Sequence, residues 1–249
     1  MLLDECAASS VDVRTAHHIV DVSRSDRFQV TTDKGLFTAV SVVLATGGLS
    51  IPKMGATGLA HDIGKRFELS LSEIRPGLVP LTFEGDTLDL MCSLSGVSLD
   101  CHVTSNQANF REGMLFTHRG LSGPAILQIS SYWKGGEEIL IDLLPGLNAP
   151  AFLLTQKRTR PRIVPRTLLS EVLPTRFSEK IAHLHLPDRP MAEQKDKTLA
   201  LFGETLNSWR MRPSGTEGYT KAEVTLGGIN TDDLSSKTME AKKVPGLFI

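Results

Sequence analysis

"SVVLATGGLSIPKMGATG", Ser41 to Gly58, decides how the chain is read. Val40, Val42, Val43, Leu44 and Ala45 form a short apolar, β-branched run, the pattern of a strand buried in a sheet. Thr46-Gly47-Gly48 stops it. Glycines at the carboxyl end of a strand let the main chain approach a neighbour without a Cβ in the way. The loop is therefore either a plain glycine turn or one wall of a nucleotide pocket, because open α/β sheets bind ligands at strand carboxyl ends.

On either side the periodicity alternates between strand and helix. Upstream, Phe28, Val30 and Thr32 alternate with polar residues, and Asp33-Lys34-Gly35 carries turn chemistry, so a hairpin precedes the loop. Downstream, Thr57 is placed to cap a helix whose apolar positions Leu59, Ile63 and Phe67 recur every four residues. Arg75-Pro76 breaks that register. Residues 77 to 147 are strand-rich, in "LVPLTF", "LSGVSLDCHV" and "GEEILIDLLP". Within them Ser122 is expected to cap a helix carrying Pro124, Ile126, Ile129 and Trp133. Residues 148 to 222 read as short helices divided by Pro161, Pro165, Pro174, Pro187 and Pro190. "AEVTLGGIN" then returns to a strand ending in Gly227-Gly228. The expected order is a partial α/β domain (1–76), a β-rich insert (77–147), a helical insert (148–222) and a return segment (223–249).

Composition bounds the function. The 249 residues are 41% hydrophobic and 22% charged, enough for a packed core, and the net charge of −1 gives no global pull toward nucleic acid or an anionic membrane. Cys6, Cys92 and Cys101 are odd in number and lack C-x-x-C spacing, which points away from disulfides and zinc and toward a reducing cytoplasm. The start, "MLLDECAASS", is not a signal peptide, and no apolar run is long enough to span a bilayer. Leu2, Leu3 and Cys6 read as the end of a helix and "VPGLFI" as a strand lacking its loop, so both ends are expected to be cuts through a larger fold.

Few side chains declare chemistry. "FTHRGLSGP" offers His118 as a proton donor or acceptor, and Arg119 beside a helix start at Ser122 that would suit an anion; an ordinary capped helix after a surface loop fits as well. "KRTRPRIVPR", Lys157 to Arg166, holds five cations and no aromatic residue for base stacking, which reads as a solvated helical face more than a nucleic-acid site. His17, His18, His61, His102, His183 and His185 show no metal-ligand spacing, so no metal is expected. The dinucleotide fingerprint G-x-G-x-x-G is absent, as is a G-x-S-x-G nucleophile elbow.

Taken together, "LATGGLSIPKMGATG", "RPGLVPLT", "LFTHRGLSGPAIL", "DLLP", "TLGGIN" and "SSKTMEAKKVPGLFI" resemble, in this order, the bacterial BaiN/YhiN-like (HI0933-like) flavoproteins. These are NAD(P)/FAD-dependent oxidoreductases with a two-dinucleotide-binding-domain FAD fold. The resemblance implies an α/β fold with inserted β-barrel-like and helical subdomains, on a Rossmann-like FAD domain that lacks its first βαβ unit here. It implies FAD as cofactor, held through the backbone of Ala45, Thr46, Gly47 and Gly48. It places Ile19, in "VRTAHHIVDV", at the adenine and sets Gly227 and Gly228 against the isoalloxazine. His118 and Ser122 become candidate catalytic residues on the substrate side, and dipoles at the Ser122 helix would steady developing negative charge. Where the family carries Asp-Gly-Tyr after "ATG", this chain has Leu59-Ala60-His61. The expected activity is hydride transfer between NAD(P)H and a small molecule through flavin, without nucleic-acid or membrane partners. The alternative is a non-enzymatic remnant or interaction domain without bound flavin.

Overall fold

The structure, a computed structural model describing residues 1–105 and 108–249, divides into two compact units. The first comprises Met1–Gly48, Thr57–Ile74 and Gly227–Ile249; the second comprises Leu49–Ala56 and Arg75–Leu226.

In the first unit an exposed helix, α1 (Leu2–Ala8), precedes an antiparallel meander of β1 (Ile19–Arg24), β2 (Phe28–Thr32) and β3 (Gly35–Ala39). The Asp33-Lys34 turn closes β2 onto β3, pairing Thr32 with Gly35 as the turn residues indicated. A short β4 (Val42–Val43) pairs in parallel with Leu247–Phe248. Helix α2 (Leu59–Arg66) buries Ala60, His61, Ile63 and Gly64, the face set by its four-residue apolar spacing. Gly58, not Thr57, is its N-cap; Thr57 stands one residue earlier, its Oγ1 accepting from the Leu59 amide at 3.4 Å. Val22, Phe28, Leu44, Ile63, Leu69, Ala241, Val244 and Leu247 form the core. The expected fully buried strand is corrected. Val40 is 69% and Val43 66% exposed, because among the described residues β4 has a neighbour on one side only.

The second unit is built on a seven-stranded sheet. Its strands are introduced along the chain with β5 (Arg75–Gly77), which lies outside it, then β6 (Leu81–Thr82), helix α3 (Gly85–Ser93), β7 (Ser98–Thr104), β8 (Asn109–Phe116) and β9 (Gly120–Ser122). Helix α4 (Pro124–Ser130) and β10 (Ile139–Asp142) follow. Four helices come next: α5 (Ala149–Thr159), α6 (Pro165–Leu169), α7 (Thr175–His185) and α8 (Asp196–Asn207). The chain then returns through β11 (Trp209–Met211), β12 (Gly215–Thr216) and β13 (Val224–Leu226). Sheet order is β11-β10-β7-β8-β9-β6-β12 with every neighbour antiparallel, and β13 pairs with β5. In β7, Leu99, Cys101 and Val103 are buried while Ser98 and Asp100 are exposed, the alternation of a sheet covered on one face.

Helices cover that apolar face. Phe177 of α7 meets Phe116 of β8 at 5.5 Å between ring centroids and Trp209 of β11 at 6.0 Å. Leu153, Leu199, Phe202 and Leu206 join the same core from α5 and α8. The prolines act as the sequence indicated: Pro165 occupies the first turn of α6 and Pro174 precedes α7, where a missing N–H costs nothing. Ser122 is a correction. It ends β9, and Gly123 caps α4 with φ 90°. A Cβ on Gly123 would stand 2.8 Å from the Gly113 carbonyl oxygen, so the packing of β9 on β8 dictates glycine at the cap.

Candidate cofactor site

The structure gathers every candidate cofactor residue into the first unit and puts both candidate catalytic residues in the second. β4 delivers the chain to Ala45, after which pairing ends. The last ladder-type bond is from the Leu44 amide to the Phe248 carbonyl at 2.8 Å. Among the described residues, the backbone N–H groups of Ala45, Thr46, Gly47 and Gly48 have no partner within the chain. Gly47 adopts φ +70°, and a Cβ there would meet nothing within 4 Å. Successive free amides, with a left-handed glycine and open space beside it, offer hydrogen-bond donors to a negatively charged or carbonyl oxygen. These residues fit a nucleotide cofactor.

The second glycine pair divides its roles. Gly227 has φ +77°, and a Cβ would fall 2.0 Å from the Glu73 carbonyl oxygen, so the chain's own packing accounts for that glycine. Gly228 has its amide bonded to Ser72 Oγ at 3.1 Å and its carbonyl to the Ser72 amide at 2.9 Å. Its backbone is therefore committed, and what it offers a ligand is a bare face. Sequence reading missed Ser72; a serine directly before Glu73, in a stretch without periodicity, carries no signal of its own. Ile19 pairs with Thr32 and turns its side chain onto the small core, beside a register irregularity between Ile19 and Asp21.

His118 and Arg119 are exposed in the turn between β8 and β9. Thr117 Oγ1 accepts from the Arg119 and Gly120 amides at 3.2 and 3.1 Å, which fixes the turn, and Arg119 reaches Glu217 at 3.5 Å. The His118 carbonyl accepts from Cys92 Sγ at 3.2 Å. Ser122 is half-buried in β9, and the seven-residue α4 behind it is too short for a strong dipole. The Lys157–Arg166 stretch is not a single helical face: it leaves α5, crosses Pro161 and enters α6. Lys157 pairs with Asp196 at 2.5 Å, Arg160 makes a fork with Glu171 at 2.7 Å, and Arg166 meets Asp188 at 2.8 Å. Arg158 and Arg162 are left as cations without an ion pair among the described residues. Among those residues no group of three or more His, Cys, Asp or Glu could hold a metal, and no helix is long and apolar enough to cross a membrane.

Comparison with known proteins assigns the chain's class. Residues 75–224 match the HI0933-like protein barrel and H2TH domain, and the chain belongs to the HI0933-like family. Along its full length it is 42% identical to the ribosomal RNA dihydrouridine synthase of Escherichia coli K12 and 35% identical to that of Haemophilus influenzae, covering 63% of each. It is 24% identical to the 3-dehydro-bile acid delta(4,6)-reductase of Clostridium scindens, over 89% of this chain and 58% of that protein. The chain thus spans about three fifths of the curated relatives it matches.

The resemblance to the family stands at the HI0933-like level; two of these relatives are named for ribosomal RNA and one for a bile acid. The expectation of no nucleic-acid partner is corrected by the same names, which state action on ribosomal RNA. The physical reason is that net charge sums over the whole chain. An RNA contact needs only a few local cations, and a total of −1 is silent about their placement.

Proposed function

We propose that the chain is part of an FAD-dependent oxidoreductase that reduces uridine in ribosomal RNA, with NAD(P)H as electron source. The observation that carries this reading is the end-to-end 42% identity to the Escherichia coli ribosomal RNA dihydrouridine synthase. The free amides of Ala45 to Gly48 and the open space over Gly47 support the flavin part of it. On this reading residues 1–76 and 223–249 form a partial Rossmann-like flavin domain, and 77–147 and 148–222 are its β-rich and helical inserts.

The net reaction adds a hydride to C6 and a proton to C5 of the uracil ring while NAD(P)H becomes NAD(P)+. Bound FAD supplies the relay of that hydride between nicotinamide and pyrimidine. The chain's own part is positional. Ala45 to Gly48 donate hydrogen bonds, Gly47 and Gly228 leave faces clear, and exposed cations of the second unit such as Arg158 and Arg162 meet phosphates.

The test is incubation of the full protein with FAD, NADPH and unmodified ribosomal RNA, followed by nuclease digestion and mass spectrometry. A gain of two mass units on a uridine nucleoside is expected. A yellow, folded protein that leaves every uridine unreduced would remove the RNA substrate. A colourless, folded protein that takes up no FAD would remove the oxidoreductase reading and leave the interaction domain.

A further inference from the structure

One side chain beside the Gly227–Gly228 turn has no role in the account above. His61, in the first turn of α2, is 8% exposed and, among the described residues, is one of four buried polar ones, with Ser130, Ser178 and Gln194. The other three are satisfied: Ser130 Oγ donates to the Leu127 carbonyl, Ser178 Oγ to the Leu173 carbonyl, and Gln194 Nε2 to the Pro187 and Arg189 carbonyls. The His61 ring has no hydrogen-bond partner among the described residues. The fully buried side-chain atoms without a hydrogen bond among the described residues are Asp21 Oδ1 and Gln156 Oε1, so the His61 nitrogens keep an edge to solvent, and a nearly buried ring with an open polar edge calls for a reason.

Its direction supplies one. A Cβ on Gly228 would stand 3.9 Å from His61 Nε2, and apart from its chain neighbours no other atom of the described residues lies within 4 Å of that position. Glycine at 228 therefore keeps a space clear with a single polar atom at its edge. Neighbouring contacts hold the arrangement in place. Ser72 clasps both backbone groups of Gly228, while Ile229 packs onto Gly64 one turn along α2, so closely that a Cβ on Gly64 would lie 2.8 Å from Ile229 Cδ1. Helix and turn are thus set against one another within one compact unit.

We propose that His61 is a flavin-binding residue, its Nε2 hydrogen-bonding a polar edge of FAD laid over Gly228. The assignment rests on the FAD reading above.

The experiment titrates FAD into the full protein, following flavin fluorescence, the visible absorption band and the melting temperature. His61→Phe keeps a ring for packing and removes the polar atoms. His61→Gln places an amide near Nε2, and His61→Asn places one nearer Nδ1. We expect the Phe and Asn variants to bind FAD about tenfold more weakly, the loss of one hydrogen bond to a buried partner, with a shifted visible band. The Gln variant should bind and absorb as wild type does. Phe and Asn variants that match wild type in affinity and band overturn the role of His61 and leave the flavin reading intact. Wild-type protein that binds no FAD overturns both. Should the Phe variant lose its melting transition, the contrast between Gln and Asn decides.

Discussion

The two units solve the burial problem differently. Among the described residues, the second gathers thirty-four buried residues into one cluster that runs from the sheet through all four helices after β10. The first has a cluster of eight and leaves Val20, Leu36, Val40 and Val43 each more than half exposed. Burial of apolar surface is the main favourable term in folding, at about 25 cal/mol per Å2. The second unit is accordingly the stable body. The first is a marginal one that holds the free backbone donors, and a site built from unpaired amides and bare glycine faces cannot also be a densely packed core. An isolated 249-residue chain should self-associate through the open β4 edge, whereas monomeric behaviour by light scattering would refute that.

Core truncation gives the largest separation. Phe177→Ala in the second unit removes the ring between Phe116 and Trp209 and should cost about 3–5 kcal/mol, read as a lowered melting transition that stays cooperative. Phe28→Ala, fully buried in the first unit, should abolish that unit's transition altogether, with early proteolytic cleavage there. Equal, cooperative shifts from both would erase the contrast.

Glycine substitutions sharpen the picture within the first unit. Gly227→Ala combines a left-handed φ with collision against the Glu73 carbonyl and should cost more than 2 kcal/mol. Gly47→Ala meets nothing, so only the backbone conformation is penalised, at about 1 kcal/mol. Urea midpoints measure both, and a Gly47 variant as damaged as the Gly227 one would mean that the space above Gly47 is filled by the chain itself.

Acid should separate the units by pH. Stacking on Phe202, centroids 5.2 Å apart, partly desolvates the otherwise exposed His185 ring and lowers its pKa below the ordinary 6.5. The unfolded chain then binds the proton more readily, so the second unit loses this contribution as pH falls from 6.5 through the lowered folded value. Asp233 of the first unit accepts from the Ser70 amide at 2.6 Å, and that bond chiefly lowers its pKa below the ordinary 3.8. Its contribution is complete at neutral pH and disappears only below about pH 4. His185→Phe should flatten the first limb and Asp233→Asn the second in melting curves from pH 7 to 3.

The mildest probe is thiol reactivity. Burial, with Asp100 and Asp142 nearby, pushes the Cys101 thiol up to about 12, whereas Cys92 is exposed. Iodoacetamide should alkylate Cys92 in the native protein and Cys101 only on unfolding of the second unit. Prompt loss of both thiols would show that the sheet opens.

Local patterns were legible where neighbouring residues alone set the geometry: the Asp33-Lys34 hairpin, the four-residue spacing of α2, the prolines that start α6 and α7. Strand β8, "NFREGMLF", and α3, "GDTLDLMCS", were not. The first interrupts its alternation with Arg111, Glu112 and Gly113, and the second lacks a side-chain cap, so only pairing with β7 and packing beneath the sheet give them form. Ser122 was misread because a serine two residues before a proline is a good cap by chemistry, and nothing local reveals that a Cβ at residue 123 would stand within 3 Å of β8.

By itself, then, the sequence determined that strands would end in glycines and that helices would stop at prolines, since backbone freedom belongs to single residues. The tertiary structure decided what each glycine is for. Gly227 yields to Glu73, Gly228 is clasped by Ser72 beneath His61, and Gly47 opens onto empty space. Those distinctions depend on chain segments about 150 residues apart or more meeting in one unit, and short-range patterns carry no record of such encounters.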